Sequence, residues 1–263
     1  MQELPSRLWH YTSPTGALGI LQSRAIRATM IHYLNDAREL TYALDLAKEV
    51  LQEESGKEDG DAGQECRDFL DRIRKMAVYV ASFSTKEDDL SQWRAYCPAE
   101  GGHAICFEAP GLRSVAEPAG YQLLPCLYAR DQQLEMLRPI IRRMLRDPNA
   151  RRSQDLYDAY ALEVAVCGAQ LKHEAFSGEH EWRLVGGPAP ECESLQYRDN
   201  GALIIPFRSL SLAANPYLGI VEIMIGPHRH PELAARSLRM LTTRDFGWPA
   251  RITHSKAPFR SLS

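Results

Sequence analysis

Apolar and polar positions along the chain follow the two-residue period of strands in some segments and the helical period in others. Strand patterns rich in β-branched and aromatic residues occupy residues 77–84, 102–108 and 121–129. Pro125 has no backbone N–H, so the last of these is predicted to be an edge strand or to contain a bulge. Residues 131–146 and 154–171 instead repeat apolar positions at helical spacing, which predicts two consecutive helices.

The two ends of the chain are predicted to alternate strands and helices. LWHYTS is a short aromatic strand with His10 near its end, and a helix follows from Pro14. AIRATMIHYL is a second strand, after which Asn35 and Asp36 are predicted to cap a helix. ESGKEDGDAGQE, residues 54–65, has no apolar period and is predicted to be an exposed loop. In the C-terminal part the predicted strands are HEWRLV, LQYR, ALIIPF, GIVEIMI and ARITHS, with the helix PELAARSLRMLT before the last.

About seven or eight short strands with helices clustered between them indicate an α+β fold with a mostly antiparallel sheet. The 263 residues are enough for a full core, and we expect one domain, 1–263. Within it, the helical pair near 130–171 is predicted to be an insertion or a lid on the sheet.

Composition and charge narrow the class of protein. The chain is 44% hydrophobic and 25% charged, as ordinary globular proteins are. A formal net charge of -3 gives no overall attraction to nucleic acid or to an anionic membrane, and the arginine-rich stretch 138–152 is predicted to be the solvated face of a helix. No apolar run is long enough to span a bilayer, and the N-terminus lacks a signal-peptide pattern, so we expect a cytoplasmic protein. The six cysteines form no C-x-x-C pair and are predicted to be reduced and mostly buried.

Candidate chemistry concentrates in residues 176–184, F-S-G-E-H-E-W-R-L. As a strand, this segment places Glu179, Glu181 and Arg183 on one face and Trp182 on the other. Two such carboxyls can hold one ionised and one partly protonated group, which suits acid-base or cation-stabilising chemistry. The alternative is a solvated edge strand, and Arg183 can neutralise the acids. On this geometry Glu181→Gln leaves stability nearly unchanged, whereas Trp182→Ala opens a core cavity at roughly 3 to 5 kcal/mol.

Two further segments carry candidate binding residues. His10 and Tyr11 close the first strand, either as satisfied structural groups or as ligand-binding groups at the mouth of a cleft. In LSQWRAY, Arg94 suits an anion, and Trp93 and Tyr96 offer flat surfaces for a base, although a short helix can equally bury Trp93 in the core. The histidines and glutamates of HEAFSGEHE match no established metal motif, so no metal is expected. The chain also lacks the motifs of Rossmann, P-loop and α/β-hydrolase enzymes.

Taken in order, these segments resemble the bacterial family catalogued as domain of unknown function 2971. The resemblance rests on LWHYTS with GALGIL, YLND followed by Glu39, SFS, LSQWRAY, LKHEAF, E-x-EWRL and VEIMIGP. It covers about residues 8 to 230, and LSQWRAY and EWRL are its most specific parts. The family name implies no activity.

More distantly, the chain resembles the ADP-ribosyltransferase fold. Its members share a His or Arg on the first strand, a Tyr or Ser-containing motif in the middle and a Glu on a late strand, often within E-x-E. His10 matches the first position, and the Ser82–Thr85 segment with Phe83, which also contains Ser84, matches the second. Glu181, preceded by Glu179, matches the third.

This second resemblance implies a role for each position, with NAD as the substrate. His10 would hydrogen-bond a ribose of NAD, and Phe83 or Tyr11 would stack on the nicotinamide. Glu181 would hold the ribose 2′-hydroxyl and stabilise the positive charge that forms as the glycosidic bond breaks. Glu179 favours a guanidinium acceptor because a second carboxylate can orient or deprotonate it.

The leading hypothesis is therefore a cytoplasmic enzyme that cleaves NAD and transfers ADP-ribose, in phage defence or a toxin system. Its acceptor can be a protein, a nucleic acid or water. The alternative is a non-catalytic module that binds a nucleotide or a nucleic-acid end through His10, Trp93 and Arg94. A cleft that joins His10 to Glu181 favours the enzyme, whereas a solvated Glu181 far from His10 contradicts it.

Overall fold

Ten β-strands form one largely antiparallel sheet in the computed structural model, which describes residues 3–34, 38–55, 61–97, 101–150, 152–187, 195–199, 201–248 and 250–258. The strands are β1 (Arg7–Thr12), β2 (Ala25–Met30), β3 (Tyr79–Ser84), β4 (His103–Glu108), β5 (Tyr121–Pro125), β6 (Glu181–Gly186), β7 (Leu195–Asp199), β8 (Ile204–Ser211), β9 (Ile220–Ile225) and β10 (Arg251–His254). The helices are α1 (Pro14–Ser23), α2 (Arg38–Ser55), α3 (Asp61–Lys75), α4 (Leu90–Tyr96), α5 (Ala109–Ala116), α6 (Arg130–Arg146), α7 (Gln154–Gly168) and α8 (Pro231–Phe246). The predicted α+β class is confirmed.

Local chemistry sets where several helices begin. Ser13 Oγ accepts a hydrogen bond from Gly16 N at the start of α1, where Pro14 lacks the N–H that would otherwise need a partner. Asp89 caps α4 and Ser153 caps α7 in the same way. Each cap accepts a hydrogen bond from a backbone N–H in the first turn of its helix, so α4 and α7 begin directly after Asp89 and Ser153.

The sheet contains a gap beside the middle of β3. The strand order is β10-β9-β4-β1-β3-β2-β8-β7, and β6 joins β5 to β3. Because β6 pairs with β3 along its whole length, β1 and β2 share the opposite edge of β3. β1 meets that edge at Ser84, whereas β2 meets it at Tyr79 and Val80. The two strands therefore diverge beside residues 81–83.

Alternate residues of β3 and β6 belong to different hydrophobic cores on the two faces of the sheet. Phe83 and Trp182 pack into a core that includes buried residues of α1, α5 and α8. Val80 and Val185 pack into a second core with α2, α3, α6 and α7. The sheet thus lies between two groups of helices.

The helical pair near 130–171, predicted to be an insertion or a lid, packs into the second core. α6 confirms the helix predicted at 131–146, and α7 ends at Gly168. α6 packs against α2, and α7 packs against α3 and α2, through buried residues such as Leu137 and Val164. The apolar stripes that predict these helices are therefore the ones that join them to α2 and α3.

Two other predictions concern chain segments near the strands. β5 ends at Pro125 and pairs with β6 alone among the described strands, so the edge position predicted for this strand is confirmed. The loop predicted at 54–65 is partly helical, because α2 reaches Ser55 and α3 begins at Asp61. The predicted caps Asn35 and Asp36 lie outside the described residues.

Two predictions from composition concern the state of the cysteines and the lack of a membrane-spanning segment. The cysteines at 66, 97, 106, 126 and 167 are free thiols, and Cys192 lies outside the described residues. Burial raises the pKa of Cys106 and Cys167 to about 12, so both remain neutral thiols at physiological pH. Within the described ranges, no helix combines the length and the apolar character needed to cross a membrane.

Candidate functional site

A cleft of about 330 Å³ lies at the gap between β1 and β2. This volume is at the lower end of the roughly 300 to 1,000 Å³ that is typical of small-molecule sites. Its walls come from β1, β2, β3, β6, β7, α2, α4 and the segment between α7 and β6. His10, Glu179 and Glu181 all line it. In the described part of the chain, neither α6 nor α7 contributes a residue to the cleft.

His10 lies inside β1, which continues to Thr12, and it is next to the gap. Its Nδ1 is 2.9 Å from the carbonyl oxygen of Ser82 on β3. A carbonyl only accepts, so Nδ1 carries the proton and donates it. Burial lowers the pKa of His10, although the hydrogen bond to Ser82 opposes this shift, and the ring is neutral at physiological pH. Nε2 is therefore left as a hydrogen-bond acceptor.

Five charged side chains form a buried network on the cleft wall. Lys172 Nζ lies 2.6 Å from Glu181 Oε2, 2.7 Å from Glu179 Oε2 and 3.3 Å from Glu39 Oε1. Arg183 Nε lies 2.6 Å from Glu181 Oε1, and its Nη2 lies 2.6 Å from Glu39 Oε2. Three carboxylates against two cations leave the network with one net negative charge.

The burial of this network contradicts the solvated edge considered for β6. The side chains of Arg183, Lys172 and Glu181 are 2%, 3% and 4% exposed. Burial alone would raise the pKa of Glu181, but the ion pairs with Arg183 and Lys172 outweigh it and lower the pKa to about 2. Glu181 is thus ionised, and the expectation that Glu181→Gln leaves stability unchanged is wrong, because the substitution removes the partner of two buried cations.

Glu179 reaches the same network by a different route from the one predicted. Residues Glu174–Glu179 form a 3₁₀-helix, and His180 has a left-handed φ of 46°, so the strand begins only at Glu181. The strand predicted from residue 176 is therefore wrong over its first part. Ser84 Oγ donates to the carbonyl oxygen of Glu179 at 2.7 Å and holds this turn in place. Within the strand, Glu181 and Arg183 do share one face.

Tyr11 and Phe83, the two residues predicted to stack on nicotinamide, already pack against the protein. Tyr11 donates its hydroxyl to the Lys86 carbonyl oxygen at 2.8 Å, and its ring meets Trp93 edge-on at 4.7 Å. Phe83 is 2% exposed and packs in a T-shape against Phe107. Both residues line the cleft, but their ring faces lie largely within the core.

The structure does not bring Trp93 and Arg94 into the cleft. Trp93 is buried, and its Nε1 donates to Asp88 Oδ1 at 2.8 Å. Arg94 is exposed on α4 and is not on the cleft wall. α4 instead presents Gln92 and Tyr96 to the cleft.

Sequence reasoning missed several residues of the cleft. Lys172 is the largest omission, and a signal for it was present, since a lone Lys after an apolar helix, close to two acids, is a candidate for burial. Phe176 is a half-buried aromatic residue on the wall. Tyr96, predicted to offer a stacking surface, also lies half-buried on the wall and is not one of the omissions. Burial, then the charges of Glu179 and Glu181, raise the pKa of Tyr96 to about 12, so its hydroxyl stays protonated beside the acids. Arg27 and Arg198 line the cleft as well.

The described residues contain no group of three or more His, Cys, Asp or Glu that can hold a metal ion. The acids of the cleft wall, Glu39, Glu179 and Glu181, are paired with Lys172 and Arg183. Their arrangement suits charge stabilisation and proton transfer by side chains.

A family model described as "Protein of unknown function (DUF2971)" matches residues 92–184. The match supports the resemblance to this family over that part of the chain. It runs from α4 to β6 and includes the cleft residues Gln92, Tyr96, Lys172, Phe176, Glu179, Glu181 and Arg183. No curated protein and no solved structure matches the chain.

Proposed function

We propose that the cleft binds NAD and that the protein transfers ADP-ribose from it. The observation that carries this proposal is that His10, Glu179 and Glu181, which lie far apart in the sequence, line one cleft. A His that accepts a hydrogen bond and two carboxylates in one concave site suit a ribose whose glycosidic bond breaks.

In the proposed reaction, the bond between ribose C1′ and the nicotinamide nitrogen breaks. Nicotinamide leaves with the bonding electron pair, and positive charge develops on the ribose. His10 Nε2 accepts a hydrogen bond from a ribose hydroxyl, since Nδ1 is occupied by Ser82. The net negative charge of the Glu39, Lys172, Glu179, Glu181 and Arg183 network lowers the energy of the cation, because most of these side chains are buried and water screens their charges only partly.

The two acids take different roles. Glu181 receives Lys172 and Arg183 on its two oxygens, so its charge is fixed in place and it stabilises the cation. Glu179 is more exposed, at 19%, and pairs with Lys172 through Oε2. In this proposal Glu179 takes the proton of the acceptor as the acceptor attacks C1′, which completes the transfer.

The nicotinamide ring is proposed to lie against Tyr96 and Phe176. These are half-buried aromatic residues of the cleft, whereas Tyr11 and Phe83 pack into the cores. A cationic ring is attracted both to aromatic faces and to the nearby carboxylates. Once the bond breaks the ring becomes neutral, and this attraction weakens in favour of release.

Incubation of the purified protein with NAD tests the proposal. We expect nicotinamide release, measured by chromatography, and a loss of roughly 10² or more in the Glu181→Gln and Glu179→Gln variants. The matched control is Glu163→Gln, the same change on an exposed part of α7, which should keep the wild-type rate. Each variant is assayed below its own melting temperature, so that unfolding does not lower the rate. Cell extract supplies an acceptor if NAD alone is not turned over, and no release with extract rejects the enzyme.

A non-catalytic nucleotide or nucleic-acid module is the weaker candidate. Of the residues considered for it, Trp93 is buried and bonded to Asp88, and Arg94 lies away from the cleft. A role in phage defence or a toxin system stays a prediction, and so does the cytoplasmic location.

A further inference from the structure

Two arginines give the cleft a basic part as well as an acidic one. Arg27 is exposed on β2, and Arg198 is half-buried on β7; both line the cleft. Thr29 lies on the same face of β2 as Arg27 and stands opposite Phe207 on β8. Arg198 Nη2 lies 3.5 Å from Thr29 Oγ1, and the Arg27 guanidinium lies 5.0 Å from the centre of the Phe207 ring. The two cations therefore project from one face of β2, β8 and β7.

Neither arginine has a counter-ion among the described carboxylates. Arg27 packs against the ring of Phe207, and Arg198 donates a long hydrogen bond to a hydroxyl. Burial, and then the positive charge of Arg27, lower the pKa of Arg198. Two like charges in a partly buried site repel each other, and a bound anion removes that repulsion.

The charged network on the other wall differs in sign. Glu39, Glu179 and Glu181 exceed Lys172 and Arg183 by one negative charge. A ligand that suits both parts carries a positive group and an anionic group a short distance apart. The nicotinamide ring of NAD has one positive charge, and its pyrophosphate has two negative charges.

We propose that Arg27 and Arg198 form a phosphate-binding subsite that receives the pyrophosphate of a dinucleotide. The choice of a dinucleotide rests on the function proposed above. The phosphate chemistry itself rests on the two guanidinium groups, which donate paired hydrogen bonds to phosphate oxygens. Recognition of this group selects phosphorylated nucleotides over nucleosides.

Calorimetric titration with ADP-ribose tests this subsite, because ADP-ribose keeps the pyrophosphate and lacks the nicotinamide. We expect wild-type protein to bind it, and Arg198→Gln and Arg27→Gln each to weaken the binding about tenfold or more. Adenosine, which has no phosphate, should bind equally to all three proteins. The matched control is Arg113→Gln on α5, outside the cleft, where the side chain is 41% exposed. Thermal melts should show both cleft variants folded, since each substitution removes a repulsion.

The outcomes separate this proposal from the enzymatic one. Loss of ADP-ribose binding in both variants supports the subsite even if no protein cleaves NAD. Unchanged ADP-ribose binding overturns the subsite, and so does a wild-type protein that does not bind ADP-ribose, even if NAD cleavage persists. A single-stranded oligonucleotide serves as the last arm: if it binds more tightly than ADP-ribose and depends more on the two arginines, the subsite serves nucleic acid and the dinucleotide proposal is overturned.

Discussion

Two carboxylates, Glu181 in the cleft and Glu54 at the end of α2, have the same shifted pKa in different surroundings. Each pairs with two cations, Glu181 with Lys172 and Arg183, and Glu54 with Arg138 and Arg142. For Glu54 the hydrogen bond from Arg142 is the largest cause of a pKa near 2. For Glu181 the largest influence is burial, which alone would raise the pKa, and the ion pairs with Arg183 and Lys172 outweigh it.

Pairing with cations lowers the pKa of both carboxylates. Burial determines how much stability is lost when one partner of a pair is removed. Arg138 and Arg142 are 32% and 44% exposed, so water solvates them when Glu54 is removed. Lys172 and Arg183 are 3% and 2% exposed and have no such alternative. A substitution that removes one charge of the cleft network is therefore expected to change both the stability of the protein and its proposed function.

The largest expected effect is that of Arg183→Met. The substitution leaves Glu39 and Glu181 with Lys172 as their remaining buried cation, and we expect a loss of about 3 to 5 kcal/mol in the free energy of unfolding. Urea unfolding followed by circular dichroism measures it. Arg142→Met, the same change in the exposed cluster, is the matched control and should shift the midpoint far less. Equal shifts in the two variants would show that burial does not separate the two clusters.

A smaller effect is expected in the response to acid. Glu181 has an ordinary pKa of 4.5 and a folded pKa of about 2, so between these values the unfolded chain takes up a proton that the folded chain does not. Stability is therefore fully present above pH 4.5 and falls as the pH decreases towards 2, by about 3 kcal/mol for this group.

Unfolding midpoints of wild type and Glu181→Gln across this pH range check the contribution. The variant should lose less stability between pH 4.5 and 2 than the wild type, because Gln does not titrate. Glu54→Gln is the comparison in the exposed cluster, and high salt should reduce its share of the slope while that of Glu181 persists. Parallel curves for wild type and Glu181→Gln would contradict the assigned pKa.

Much of the fold could be predicted from the sequence because its signals are local. The strand patterns of β3, β4 and β9 and the helical stripes of α6 and α7 depend on neighbouring residues, and these elements form as predicted. The alternation of Glu181, Trp182 and Arg183 likewise predicted which side chains share a face. The prediction of a strand before Glu181 is wrong, because the left-handed φ of His180 turns the chain there.

The site depends on pairings that no local pattern reveals. Burial of Glu181 follows from the position of β6 between β3 and β5, and the sequence of β6 alone fits an edge strand equally well. Lys172 follows α7 and meets Glu39 of α2 only in the folded chain. Arg27 on β2 and Arg198 on β7 are 171 positions apart in the sequence. They come together because β8 pairs with both strands. Tertiary pairing, and not residue type, therefore defines the acidic and basic parts of the cleft.

The smallest expected effect is the salt dependence of Arg142→Met in the exposed cluster. At low ionic strength the lost pair should shift the urea midpoint slightly, since Arg138 still pairs with Glu54. Raising the salt from roughly 0.01 to 1 M shortens the Debye length from about 30 to about 3 Å, and the shift should vanish because the wild-type pair is then screened. Arg183→Met should keep most of its shift under the same change, since bulk ions do not reach its 2% exposed side chain. A shift that disappears with salt in both variants would mean that water and ions enter the cleft network, and Glu181 would then be a solvated acid with no fixed partner.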